Sequence, residues 1–132
     1  MLLMALTLSV GVSAQQRSAG DKVAKIWFAT DEIRFKPFDL SHPVQKKQVK
    51  FYNRGTAKLV INDVQVSCDC TKATFPEKFV APCDSGIIEI TYSAYEPGSF
   101  YKDVYVISNG VPSTTHLRLM GEVLPAASDK SK

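Results

Sequence analysis

The chain has 132 residues, of which 45% are hydrophobic and 22% charged, with a formal net charge of +3. That length suits one domain with room for an apolar core. The basic residues are scattered apart from Lys46-Lys47 and form no stripe interleaved with aromatics, which excludes a nucleic-acid surface.

The stretch from Met1 to Ala14 is apolar and uncharged, and it ends in Val12-Ser13-Ala14 ahead of Gln15-Gln16. Small residues before a polar pair predict a signal peptide over residues 1–14. The run is too short to cross a bilayer, which takes about 20 residues. It lacks the opening Lys or Arg of most such segments, so the true start stays open, and no cysteine follows it to take a lipid. The sequence therefore predicts export, to the periplasm or the cell surface, of a mature chain without an integral membrane segment.

A polar leader, 15–22, precedes the domain expected over 23–124. The predicted strands are Val23–Ala29, Glu32–Lys36, Gln45–Asn53, Lys58–Thr71, Lys78–Ala81, Ile87–Ala94, Phe100–Ser108 and Thr114–Leu124. Period two carries most of them: Ile33 and Phe35, Val64 and Val66, Ile88, Ile90 and Tyr92, and Leu117 and Leu119 alternate with polar residues, as in strands with one buried face. Asn62-Asp63 is expected to bend the long fourth strand. Val104-Tyr105-Val106-Ile107 is apolar throughout and reads as a central strand covered on both faces. Asn53-Arg54-Gly55, Pro82-Cys83-Asp84-Ser85-Gly86, Glu96-Pro97-Gly98-Ser99 and Asn109-Gly110 supply turns, the first offering two residues tolerant of positive φ. Residues 125–132 form a polar tail, expected to be disordered. Seven or eight short strands with regular punctuation predict an all-β, immunoglobulin-like antiparallel sandwich.

Several motifs recur in a known order: Phe51-Tyr52-Asn53-Arg54-Gly55, Leu59-Val60-Ile61-Asn62-Asp63-Val64, Ser67-Cys68-Asp69-Cys70-Thr71, Pro82, Gly98-Ser99-Phe100 and Gly121-Glu122-Val123. Over about residues 24–124 the chain resembles the bacterial exported family of unknown function 1573, with its F-x-N-x-G, L-x-I-x-x-V, S-C-G-C-T, P-G, G-x-F and G-x-V motifs. The resemblance implies an immunoglobulin-like sandwich related in shape to major-sperm-protein and pilus-chaperone domains, with no catalysed reaction. Two residues depart from the pattern. Asp69 stands where the family has glycine, which argues against a tight glycine turn between the cysteines. Cys83 stands where the P-G turn has its glycine, and it adds a third thiol.

Cys68, Cys70 and Cys83 are the disulfide candidates. On one extended strand Cys68 and Cys70 lie about 6.7 Å apart between Cα atoms, whereas bridged cysteines prefer about 5.5–6 Å. A bridge between them needs a turn at Asp69. Cys70–Cys83 is the favoured pairing. It would close a loop of about a dozen residues and add about 3 kcal/mol. Cys68–Cys83 stays open as well. Two close thiols also suit Zn or Cu(I), but His116 and Met120 stand about 13 Å apart along a strand, and His42 lies in a Pro-flanked loop. No metal or cofactor is assigned. Asp69 and Asp84 flank the thiols with the wrong charge for a redox cysteine, and no serine sits in a nucleophile elbow.

Tyr101, Tyr105, Tyr52 and Trp27 are candidates for contact with a partner, against a reading in which Tyr101 and Tyr105 cover a second sheet face. Val23–Ala29 is a candidate edge strand for pairing with a partner segment. The function read from the sequence is a non-enzymatic exported module of the bacterial cell envelope, structural or protein-binding, with an unknown envelope protein as partner. The alternative is a periplasmic protein handling metal or thiols through Cys68, Cys70 and Cys83.

Overall fold

A computed structural model describes residues 22–125, so the expected signal peptide and nearly all of the leader and tail lie outside the described residues. No described helix is long and apolar enough to cross a membrane. Among the described residues nine strands follow one another: β1 Ile26–Phe28, β2 Glu32–Arg34, β3 Phe38–Asp39, β4 Val44–Asn53, β5 Ile61–Val66, β6 Thr71–Thr74, β7 Ser85–Ser93, β8 Gly98–Ser108 and β9 Thr114–Leu124. They form two sheets, one ordered β1-β4-β7-β6, the other β2-β9-β8-β5 with β3 also paired to β9. This is the expected immunoglobulin-like sandwich, with nine strands rather than seven or eight, and with β2 and β3 running parallel to β9 where an antiparallel arrangement is expected throughout.

The alternating residues face each other between the layers. Phe51, Ile88 and Ile90 from the first sheet and Val104, Val106, Leu117 and Leu119 from the second are fully buried. Burying a side chain of this size stabilises the fold by about 1.5–3 kcal/mol. The two ends are closed differently. At one end Phe35, Phe38, Tyr92 and Phe100 form an aromatic cluster, with Tyr92 and Phe100 stacked across the layers at 4.0 Å between centroids. At the other, Asn53 is fully buried. Its Nδ2 donates to the carbonyls of Ala57 at 2.7 Å and Val80 at 2.9 Å, and its Oδ1 accepts from the amides of Gly55 at 2.9 Å and Lys25 at 3.4 Å.

The structure corrects several expectations. The predicted strand Lys58–Thr71 is two strands on different sheets, because the chain turns at residues 67–70 and crosses between layers. The expected bend at Asn62-Asp63 is a register shift between Ile61 and Asp63. Lys78–Ala81 is no strand: Val80 alone bridges to Leu59. Phe38–Asp39 pairs with β9, unforeseen because two residues show no period. Gly55 does not have a positive φ. Glycine is required there by close approach, since a Cβ would meet the backbone of Val23 and Lys25. The strand Val104–Ile107 is central, but only its even-numbered face is buried, and Tyr105 is exposed.

Candidate functional site

The cysteine turn is built from both sheets. The Ser67 amide donates to the Asp103 carbonyl at 3.1 Å, and its Oγ accepts from the Asp103 amide at 3.0 Å, which ties the end of β5 to β8. The Thr71 amide then donates to the Cys68 carbonyl at 3.1 Å, closing a turn, and the Cys70 carbonyl accepts from the Ser93 amide at 2.8 Å. Inside this turn Cys68 and Cys70 are bridged, with Cα atoms 5.1 Å apart. The pairing favoured from the sequence, Cys70–Cys83, is thus replaced. The turn shortens the separation that an extended strand would impose, and Asp69 makes it without a positive φ.

Cys83 is free and exposed. Thr71 pairs with Tyr92 near the end of β7, whereas Cys83 precedes the start of the same nine-residue strand. That strand spans on the order of 25 Å, so neither Cys70 nor Cys68 can reach Cys83. The three sulfurs do not share one site, which removes the geometry that a three-cysteine metal or thiol centre needs. His116 and Met120 both project from the outer face of β9, and His42 sits 3.6 Å from Asp39 in its own loop.

The four aromatic candidates fall on opposite outer faces. On the first sheet Trp27 pairs with Tyr52, ring centroids 5.5 Å apart. The guanidinium of Arg54 lies 3.5 Å over the Trp27 ring and Lys50 Nζ 5.3 Å over Tyr52. On the second sheet Tyr101, Asp103 and Tyr105 stand opposite Met120, Arg118 and His116 across the β8–β9 pairing. Tyr101 is 54% exposed. Tyr105 stacks on His116 at 4.8 Å, and His116 Nε2 lies 2.7 Å from Asp103 Oδ1. A hydrogen bond from Arg118 to Asp31 at 2.6 Å, with the carboxylate's charge, raises the guanidinium pKa above its ordinary value and fixes its place on the face. Beside Tyr101 a hollow of about 490 Å³ opens, lined by Arg34, Phe35, Pro37, Met120 and Glu122. Tyr101 and Tyr105 therefore cover no second core; they stand in solvent among paired charges.

The predicted edge strand Val23–Ala29 is shortened and partly covered. The Ile26 amide donates to the Val111 carbonyl at 3.3 Å, and the Val111 amide to the Ala24 carbonyl at 2.9 Å. β1 pairs only with Phe51, Tyr52 and Asn53. The free edge is instead the rest of β4, from Val44 to Lys50, which has β7 on one side and no strand on the other among the described residues. Nothing in the sequence announces this, because it follows from β1 leaving the sheet after Phe28.

The family model for a protein of unknown function, DUF1573, matches residues 26–123. No curated protein matches the sequence. Among solved structures the chain is similar to a protein of unknown function from Porphyromonas gingivalis W83, with 15% identity and a TM-score of 0.62 over 76% of this chain and 46% of that one. The chain thus spans less than half the length of that protein. It is similar to the ASH/PapD-like domain 7 of human CEP192, with 12% identity and a TM-score of 0.60 over 93% of this chain and 99% of that one. It is also similar to the secreted serine protease VesC from Vibrio cholerae, with 16% identity and a TM-score of 0.52 over 83% of this chain and 25% of that one. At these identities the likeness is one of fold.

Proposed function

The chain belongs to the DUF1573 family of proteins of unknown function, and from that premise we propose that it is a non-enzymatic, exported, protein-binding module of the bacterial cell envelope. The observation that carries this reading is the outer face of the β8–β9 sheet. Tyr101, Tyr105, His116, Arg118 and Met120 lie there on a rigid pair of strands, with Tyr101 and Tyr105 exposed. Tyrosine, arginine and methionine are the residue types enriched where proteins meet. Their order is set by the strand register and the Asp31, Asp103 and His116 contacts, so little side-chain freedom is lost on binding. The near-complete overlap with an isolated PapD-like domain supports a fold that stands alone as a module. The apolar segment Met1–Ala14 supports export, as does the Cys68–Cys70 bridge, since disulfides persist in oxidising compartments.

The double variant Tyr101→Ser/Tyr105→Ser tests the reading. Capture of envelope proteins by the wild-type chain and its loss in the variant, at unchanged melting temperature, is the expected result. Unchanged capture with lowered stability would return the tyrosines to a packing role. Turnover of a substrate by the purified chain would remove the non-enzymatic reading.

A further inference from the structure

We propose that the free edge of β4, Val44–Lys50, takes an extended acidic segment of a partner protein as an added strand; the proposal rests on the protein-binding reading and names a mode and a chemistry for it. Hydrogen-bond parity fixes which backbone groups are on offer. The Asn53 amide donates to Asp84 and the Asn53 carbonyl accepts from Cys83, both at 2.9 Å, on the β7 side. The Ile26 amide turns away from β4 to Val111, so Trp27 is the β1 residue bonded to Tyr52. Odd-numbered residues of β4 therefore bond to β7, and even-numbered ones point to the other side. Past Tyr52 those are Lys50, Gln48 and Lys46, whose amides and carbonyls have no strand beside them among the described residues. A row of such groups is a template for another strand.

The surroundings choose the strand. Because β1 leaves the sheet after Phe28 and β2 begins in the other sheet at Glu32, a groove of about 180 Å³ lies along this edge, lined by Ala29, Ile33, Val49 and Tyr52 among others. It accepts the inward-facing apolar residues of an added strand. The outward-facing residues would stand beside Lys46 and Lys50. Glu32, the acid on the groove wall, is already paired with Arg34 at 2.9 Å. On the outer face Glu89 stands opposite Gln48, but Lys46, Lys47 and Lys50 outnumber it, so the local charge is positive and acidic residues at alternate positions complement it. Lysines on an edge also keep identical edges apart. Here that repulsion works against a second copy of this chain and favours an acidic partner over a neutral one.

The test uses a synthetic nine-residue peptide alternating glutamate with valine, its lysine-for-glutamate counterpart, and a version of the acidic peptide N-methylated at its three central residues, which removes the amides that an added strand of either direction would donate to β4. Amide hydrogen exchange is read at each residue of the full chain. The expected result is at least tenfold slower exchange at Lys46, Gln48 and Lys50 with the acidic peptide alone. Lys46→Glu/Lys50→Glu should transfer the effect to the lysine peptide. The proposal falls if millimolar acidic peptide leaves these amides unprotected, if it slows exchange only on the β8–β9 face, or if the charge-reversed variant protects as the wild type does. Envelope partners captured equally by the charge-reversed variant and the wild type would sink the edge proposal and leave the protein-binding reading standing.

Discussion

At one end of the sandwich a single buried side chain, Asn53, holds four backbone groups from three segments, at Lys25, Gly55–Ala57 and Val80. At the other end a covalent bridge, Cys68–Cys70, sits over a cluster of four aromatic rings. The hydrogen-bonded end should matter more to stability than the bridged one. A disulfide acts largely through the unfolded chain, and a loop closed between residues two apart loses little freedom, worth about 1.5 kcal/mol against about 3 kcal/mol for a loop of some 15 residues. Asn53 acts in the folded state, and its removal strands buried donors and acceptors, each costing about 1–3 kcal/mol.

The largest effect is therefore expected from Asn53→Ala. Urea unfolding should show a loss of about 3 kcal/mol or more, since the Ala57 and Val80 carbonyls and the Gly55 amide lose their partner together. A loss under about 1 kcal/mol would mean that water reaches these groups and that the asymmetry between the ends is false. Next comes Gly121→Ala at the aromatic end. A Cβ there would lie 2.6 Å from Phe100 Cζ and 3.1 Å from Phe35 Cβ. Phe100 would have to leave its stack on Tyr92. Overpacking of this kind costs about 1–3 kcal/mol, and the near-ultraviolet circular dichroism of the aromatic cluster should change with it. Smaller again is Cys68→Ser/Cys70→Ser, expected to lose about 1.5 kcal/mol while the strand pairing seen by amide exchange persists. A loss of 3 kcal/mol or more would show that the bridge holds the chain crossing between the sheets in the folded state.

These two ends were not equally legible in the sequence. Alternation gave the strands of the core, because one buried face imposes period two and nothing else in the chain competes with it. In the sequence the Asn53 hub reads as part of a turn: its residue type fits both roles, and only the meeting of Lys25, Gly55, Ala57 and Val80 in space tells them apart. The cysteine turn is hidden in the sequence for a different reason. Val64, Val66, Cys68 and Cys70 keep perfect alternation, so the pattern ran on through the point where the chain leaves one sheet for the other. The hydrogen bonds of Ser67 to Asp103 and of Cys70 to Ser93 mark that point, and they join residues far apart in sequence. The outer face of β8 reads as covered because Tyr105 and Ile107 are apolar by type, whereas Tyr105 is exposed and Ile107 half-buried, since no third layer covers β8 among the described residues.

The smallest expected effect has the opposite sign and lies at the Asn53 end. Cys83 has φ of 68°, a left-handed conformation, and its amide donates to the Asn53 carbonyl. An L-residue with a Cβ pays about 1–2 kcal/mol to sit there, whereas glycine pays about 0.5–1 kcal/mol in lost chain freedom. The sequence resemblance puts glycine at this position, and the backbone supplies the reason. Cys83→Gly should raise stability by about 0.5–1 kcal/mol, read as a higher urea midpoint at unchanged slope. Cys83→Ser separates this cause from thiol chemistry, because serine keeps the Cβ and removes only the sulfur. A gain in the glycine variant alone assigns the effect to the backbone. An equal gain in both would assign it to reaction of the exposed thiol, and the turn would then hold its shape without strain.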